Sequence, residues 1–282
     1  TFDQLAKICA NGLRMTIAIN EIGKPETVDH NGPSGVTQKY SVGSNGYAVQ
    51  TNDPDKNMKG TCYPCNGIIA ATMNSQLVEE VGELIGEDAM WAGYAGLYGT
   101  GLNIHRSPYS GRVFEYYSED GFLSGMMSAY EVAAIQAKGV HVVMKHFALN
   151  DCEQDRIGLG VWINEQAARE VYLKAFQAPV EVGNANGVMI AYTRWGAVWS
   201  GGNYGLVTGI LRNEWGCEGM IITDNVLTQY VNGPDGVLAG VSIYDAMMSF
   251  VTDTLPQYKN DPVIVTAMRE ACHHNLYAIA NS

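Results

Sequence analysis

Nowhere does this 282-residue chain stay apolar for the ~18 residues that a membrane-spanning helix needs, which excludes a membrane as partner on that ground. Charge is sparse, at 16% of residues, and basic charge sparser still: 17 Lys and Arg face 29 Asp and Glu, for a formal charge of −12. Without a Lys/Arg cluster there is nothing to neutralise phosphates, so nucleic acid is excluded too. A Gly-x-Gly-x-x-Gly turn is missing: "GTGLNI" (99–104) has no third glycine and reads as entering a strand. The Ser-hydrolase elbow Gly-x-Ser-x-Gly is missing, and "GPSGV" does not supply it.

Paired cysteines are also missing. Of Cys9, Cys62, Cys65, Cys152, Cys217 and Cys272, "CYPC" (62–65) alone has suggestive spacing. It lacks the second pair of a zinc site, and as a redox motif it lacks a strand leading to a helix with a thiol at its start. Clustered metal ligands are not apparent either. His141 and His146 are five apart and face opposite sides of a strand, while His273 and His274 diverge on a helix. No metal and no cofactor are expected. Scattered thiols fit a reducing compartment. Thr1, with Gln4 three residues on, reads as a helix start instead of a leader, so a cytoplasmic location is expected. Repeats, low-complexity tracts and linkers are missing, which predicts one domain over 1–282.

What is present is alternation. Short apolar runs occur at 101–104, 139–147, 187–192, 219–224 and, less clearly, "GVLAGV" at 236–241. Between them, 74–91, 123–138, 164–182, 205–215 and 262–280 carry helical periodicity; Ala168, Val171, Tyr172, Ala175 and Pro179 share one face. Asn164 can cap that helix and Gly183 can end it. Strand and helix in rotation predict a parallel sheet, and unbroken apolar runs predict strands buried on both faces. A doubly wound sheet and a (β/α)8 TIM-like barrel both satisfy this, and the missing glycine turn favours the barrel. Its first strands are expected to be irregular or absent, because the first ~70 residues are the least regular. The tract 37–60 reads as a long polar loop at the rim.

Three apolar runs end in polar groups: "HVVMKH" in Lys145 and His146, "VMIAYTR" in Tyr192 and Arg194, "MIITD" in Asp224. In a barrel the C-terminal strand ends meet on one face, where active sites are built. Asp224 is therefore read as aimed into a pocket; the competing role is a cap on the next helix.

These residues carry a resemblance. "GLNIHRSPYSGRVFEYYSEDGFLSG" (101–125), "KHFALND" (145–151), "AREVYLKAF" (168–176), "GILRNEWGCEGMIITD" (209–224) and "HHNLYAIANS" (273–282) resemble, in order, the barrel of glycoside hydrolase family 3. The β-N-acetylglucosaminidase branch is set aside, because "ALND" stands where that branch has Pro-Gly-His-Gly. The resemblance implies a retaining β-glycosidase of β-glucosidase type, with Asp224 as nucleophile. It implies sugar contacts from Lys145, His146, Arg112, Tyr192, Met189 and Asn31, with Arg106 and Arg169 in family-like motifs. Two positions depart from the family: Asn31 stands where Asp is usual, and Asn225 where Trp is common. Asp29 is the nearest carboxylate that would stand in. The family's α/β sandwich domain, which commonly supplies the acid/base, is not in this sequence, and the tail resembles the barrel end of a permuted subgroup. The implied partners are a β-glucoside or related carbohydrate and a sandwich domain in cis or in trans. Glu153 and Glu218 are the rim acids within the chain, each expected at a solvated surface. The alternative reading is a catalytically silent carbohydrate-binding or domain-docking barrel.

Overall fold

A computed structural model describes residues 1–36, 41–42, 48–49, 61–226, 228–246, 251 and 253–282. The tract 37–60, expected as a rim loop, lies outside the described residues except for two short strands, Ser41–Val42 and Ala48–Val49, which pair antiparallel.

One curled sheet organises the chain. Its strands run in sequence order: β1 (Met15–Thr16), β2 (Thr27–Asn31), β3 (Gly96–Gly101), β4 (His141–Phe147), β5 (Gly187–Ile190) and β6 (Met220–Thr223). β1 meets β2 antiparallel, and every later pairing is parallel. All residues of β3 to β6 are buried, as expected for strands covered on both faces. The curl continues past β6, where Ile243 bridges Ile222 and Ala246 bridges Val226. That segment then meets the start of the chain. Gly12 N donates to Tyr244 O and Tyr244 N to Cys9 O, both at 2.8 Å, and Asp29 N donates to Arg14 O at 2.9 Å. The ring is thus closed by an irregular seam, in keeping with an α/β barrel whose first strand is atypical.

Helices form the outer layer, and side chains set their starts. Asn74, Asp120, Asn164 and Asp261 accept from backbone amides of the helices Ser75–Ala92, Gly121–Gln136, Glu165–Ala167 and Pro262–Ala280. Thr1 and Gln4 form the expected reciprocal cap on Phe2–Ala10. Gly82 lets Ser75–Ala92 close on Gly121–Gln136, since a Cβ there would stand 2.7 Å from Glu131 O.

Four expectations change. "GVLAGV" is not a strand: Asn232 caps a helix, Gly233–Ala239, with Pro234 in its first turn, where a missing N–H costs nothing. β3 spans 96–101 and not 101–104, because its glycines broke the apolar signal. The helix expected over 164–182 widens at Ala168–Tyr172, and Val171 is exposed instead of facing the core. Cys65 does stand at the start of a helix, Asn66–Ala71.

Candidate active site

The polar residues meet at the C-terminal ends of the strands. Asn31 ends β2, Lys145 and His146 lie at the C-terminal end of β4, Met189 lies in β5 with Tyr192 two residues past the strand's end, and Asp224 follows β6 directly. Arg112 arrives on the loop after β3. These seven line one cavity of about 310 Å³, together with Arg14, Tyr98, Arg156, Asn225 and Asp245. An adjoining cavity of about 580 Å³ shares Asn31, Arg112 and Lys145 and adds Tyr63, Phe114 and Glu115. It does not reach Asp224.

Asp224 is held by its backbone and left open at its tip. Asn225 N donates to Oδ1 at 2.7 Å, and Tyr230 Oη donates to its carbonyl at 2.7 Å. Tyr192 Oη donates to Asn225 O at 2.8 Å, and the two tyrosine rings meet edge to face. No helix starts there, so the capping role does not apply. Among the described residues, the buried Oδ2 has no hydrogen-bond partner. Burial pushes the carboxyl up; the Asn225 amide and the charges of Arg156, Lys145 and Arg112 oppose that push.

His146 Nε2 lies 3.7 Å from Asp224 Oδ2, too far for a hydrogen bond. Nor is the contact an ion pair: burial, then Arg112, Lys145 and Arg156, pull the imidazole well below its ordinary value, so it is neutral. Asn103 clamps the His146 backbone, accepting from its N–H at 2.9 Å and donating to its carbonyl at 3.0 Å. Lys145 Nζ donates to Asn31 Oδ1 at 3.2 Å and lies 3.9 Å from Glu115 Oε2. Burial pulls this ammonium down to about 8 against the pull of Glu115, so near neutrality it remains largely charged. Arg112 makes a bidentate pair with Glu115 at 2.8 and 2.7 Å. Burial opposes its charge, and Glu115 more than offsets that.

Some candidates fall outside. Arg106 is exposed and lines neither cavity. Arg169 braces two helices through Glu165 at 2.8 Å and Glu214 at 2.6 and 2.9 Å. Asp29 does not reach the cavity: it is buried, two residues down β2, 3.2 Å from His141 Nε2. Glu153 is not a free surface acid, since it pairs with Arg156 at 3.0 Å and accepts from Asn150 at 2.8 Å. Glu218 precedes β6, at the far end of the strand from Asp224.

Arg14, Tyr98, Arg156, Glu115 and Asp245 were not anticipated. For Asp245 a signal existed: "GVSIYD" is another apolar run that ends in an acid. Among the described residues, no group of three or more His, Cys, Asp or Glu is arranged to hold a metal ion, and no helix is long and apolar enough to cross a membrane.

Residues 54–238 match the glycosyl hydrolase family 3 N terminal domain. The chain is 38% identical over 204 residues to a beta-glucosidase A of Butyrivibrio fibrisolvens, covering 72% of this chain and 23% of that protein. It is 34% identical over 225 residues to an exo-alpha-(1->6)-L-arabinopyranosidase of Bifidobacterium breve, covering 79% and 29%. The chain thus spans less than a third of the length of these curated relatives. Its fold is similar to that of beta-glucosidase 3B from Thermotoga neapolitana, solved in complex with alpha-D-glucose. The TM-score is 0.89 at 27% identity, over 100% of this chain and 41% of that one.

Proposed function

The chain belongs to glycosyl hydrolase family 3, and from that premise we propose that it is the nucleophile-bearing barrel of a retaining β-glycosidase of β-glucosidase type. The observation that carries this reading is the unpartnered, buried Oδ2 of Asp224 in a cavity ringed by Lys145, Arg112 and Arg156. Oδ2 attacks the anomeric carbon, the glycosidic bond breaks, and a covalent glycosyl-enzyme forms that water then hydrolyses. The surrounding cations favour the ionised carboxylate against the effect of burial. Lys145, neutral His146 and Arg112 present donors to ring hydroxyls, and Asn31 presents an amide already turned toward Lys145. The relatives act on glucosides and on arabinopyranosides, so the glycone is a pyranose of that class.

Departure of the aglycone needs a proton. Glu115 and Glu153 are engaged by Arg112 and Arg156, and the Asp245 carboxyl is held at the seam by Arg14 N, so we assign the acid/base to a sandwich domain supplied in cis or in trans. The test compares kcat/KM on an unactivated β-glucoside and an activated aryl β-glucoside, with and without an added sandwich domain. The expected result is slow turnover by the chain alone, with a gain of roughly 10²–10⁴-fold on the unactivated substrate when the domain is added. Fast turnover of that substrate by the chain alone would move the acid into the barrel. A second reading, a silent carbohydrate-binding barrel, draws on the upward push on Asp224, because a protonated carboxyl does not attack.

A further inference from the structure

The barrel seam carries a second carboxyl into the cavity that holds Asp224. Asp245 is 2% exposed and lines that cavity. Its backbone is stitched to both sides of Asp224: its N–H donates to Thr223 Oγ1 at 3.0 Å, and its carbonyl accepts from Val226 N at 2.8 Å. Its side chain is held from the other edge of the seam, where Arg14 N donates to Oδ1 at 3.0 Å. A carboxyl fixed from two directions is placed as a recognition group must be. The seam uses the carboxyl as an acceptor for Arg14 N, a bond that an amide oxygen would also make. Gly12 and Cys9 close it on Tyr244 through main-chain bonds that any side chain at 245 would permit, and burying a carboxyl is costly.

Resting on the proposed glycosidase reading, we propose that Asp245 is a specificity-determining residue, its carboxyl hydrogen-bonding one hydroxyl of the pyranose that Asp224 attacks. Burial, with the charges of Asp224 and Asp29, pushes this carboxyl up to about 8 against Arg14, so near neutrality it holds its proton. It can then donate as well as accept, a pairing that the cationic donors Lys145 and Arg112 cannot offer.

The test is calorimetric titration of the full chain with glucose and its 3-deoxy, 4-deoxy and 6-deoxy analogues, repeated on Asp245→Ala and on the near-isosteric Asp245→Asn. The native chain is expected to bind one deoxy sugar about tenfold more weakly than glucose. Asp245→Ala should bind that sugar and glucose alike, and Asp245→Asn should keep part of the preference. An unchanged ranking of the four sugars in both variants, or an equal loss for all four, would overturn the role of Asp245. Failure of the native chain to bind any of them would overturn the glycosidase reading on which it rests.

Discussion

Arg112 at the barrel mouth and Arg212 in the outer layer are both partly buried guanidiniums, and the protein uses them in opposite ways. Arg212 donates to three carbonyls, Cys217 at 3.0 Å, Gly219 at 3.2 Å and Gly240 at 3.1 Å. It ties the loop before β6 to the end of the Gly233–Ala239 helix, and burial pulls it down to about 10 with its donors occupied by the backbone. Arg112 is anchored by Glu115 yet still faces a cavity in which Asp224 Oδ2 has no partner among the described residues. In the outer layer the backbone takes up the buried donors and the bonds tie two segments together, although burial disfavours the charge itself. The mouth leaves polar groups incompletely satisfied, which costs stability and leaves them available to a ligand.

Substitutions should separate the two regions. Asp224→Asn is expected to lower glycosyl transfer in the complete enzyme by on the order of 10⁴-fold or more while leaving the urea midpoint equal or higher. Near-normal turnover would remove Asp224 from the chemistry. Arg212→Ala should do the reverse. Three carbonyls lose a shared donor, so stability should fall by roughly 3 kcal/mol while kcat and KM on residual folded enzyme stay unchanged.

The pH dependence sharpens the contrast. Asp245 is raised from 3.8 to about 8 by burial and by Asp224 and Asp29, against Arg14. The folded chain therefore keeps a proton that the unfolded chain releases. Its stabilising contribution is complete below about pH 4 and is lost as pH rises through about 8, with a slope of at most ~1.4 kcal/mol per pH unit. Asp224 acts in the same direction. Urea unfolding across that interval should show a smaller decline for Asp245→Asn than for the native chain; parallel curves would deny the shift. The smallest effect expected is that of Asn31→Asp. A charge-assisted bond to Lys145 Nζ, and a new acceptor for the sugar, should raise glucoside affinity a few-fold, measured by competition. No gain would mean that the amide suits the native glycone.

Legibility in the sequence followed the same division. β4, β5 and β6 stood out because both faces of each are buried, and their polar ends marked Lys145, His146 and Asp224. β3 was misplaced because Gly96, Gly99 and Gly101 interrupt it, and they are there for space: a Cβ on Gly96 would stand 2.1 Å from His141 Nε2, and one on Gly101 2.6 Å from Glu115 O. The seam joins residues 9–14 to 241–246, a pairing that no local pattern encodes, so nothing near Arg14 marks it, whereas Asp245 has a local mark in the apolar run that it ends. Arg106 and Arg169 share family-like motifs with cavity residues, and only the three-dimensional arrangement separates an exposed arginine or a helix brace from a residue that lines the cavity.

That Asp224 is the attacking group is tested most directly by trapping. The full chain is incubated with an aryl 2-deoxy-2-fluoro-β-glucoside, whose good leaving group lessens the need for an acid, and the label is mapped by peptide mass spectrometry. One fluorosugar per chain is expected, on the peptide that contains Asp224. A label on another residue, or no label where the chain demonstrably binds the sugar, would contradict that assignment.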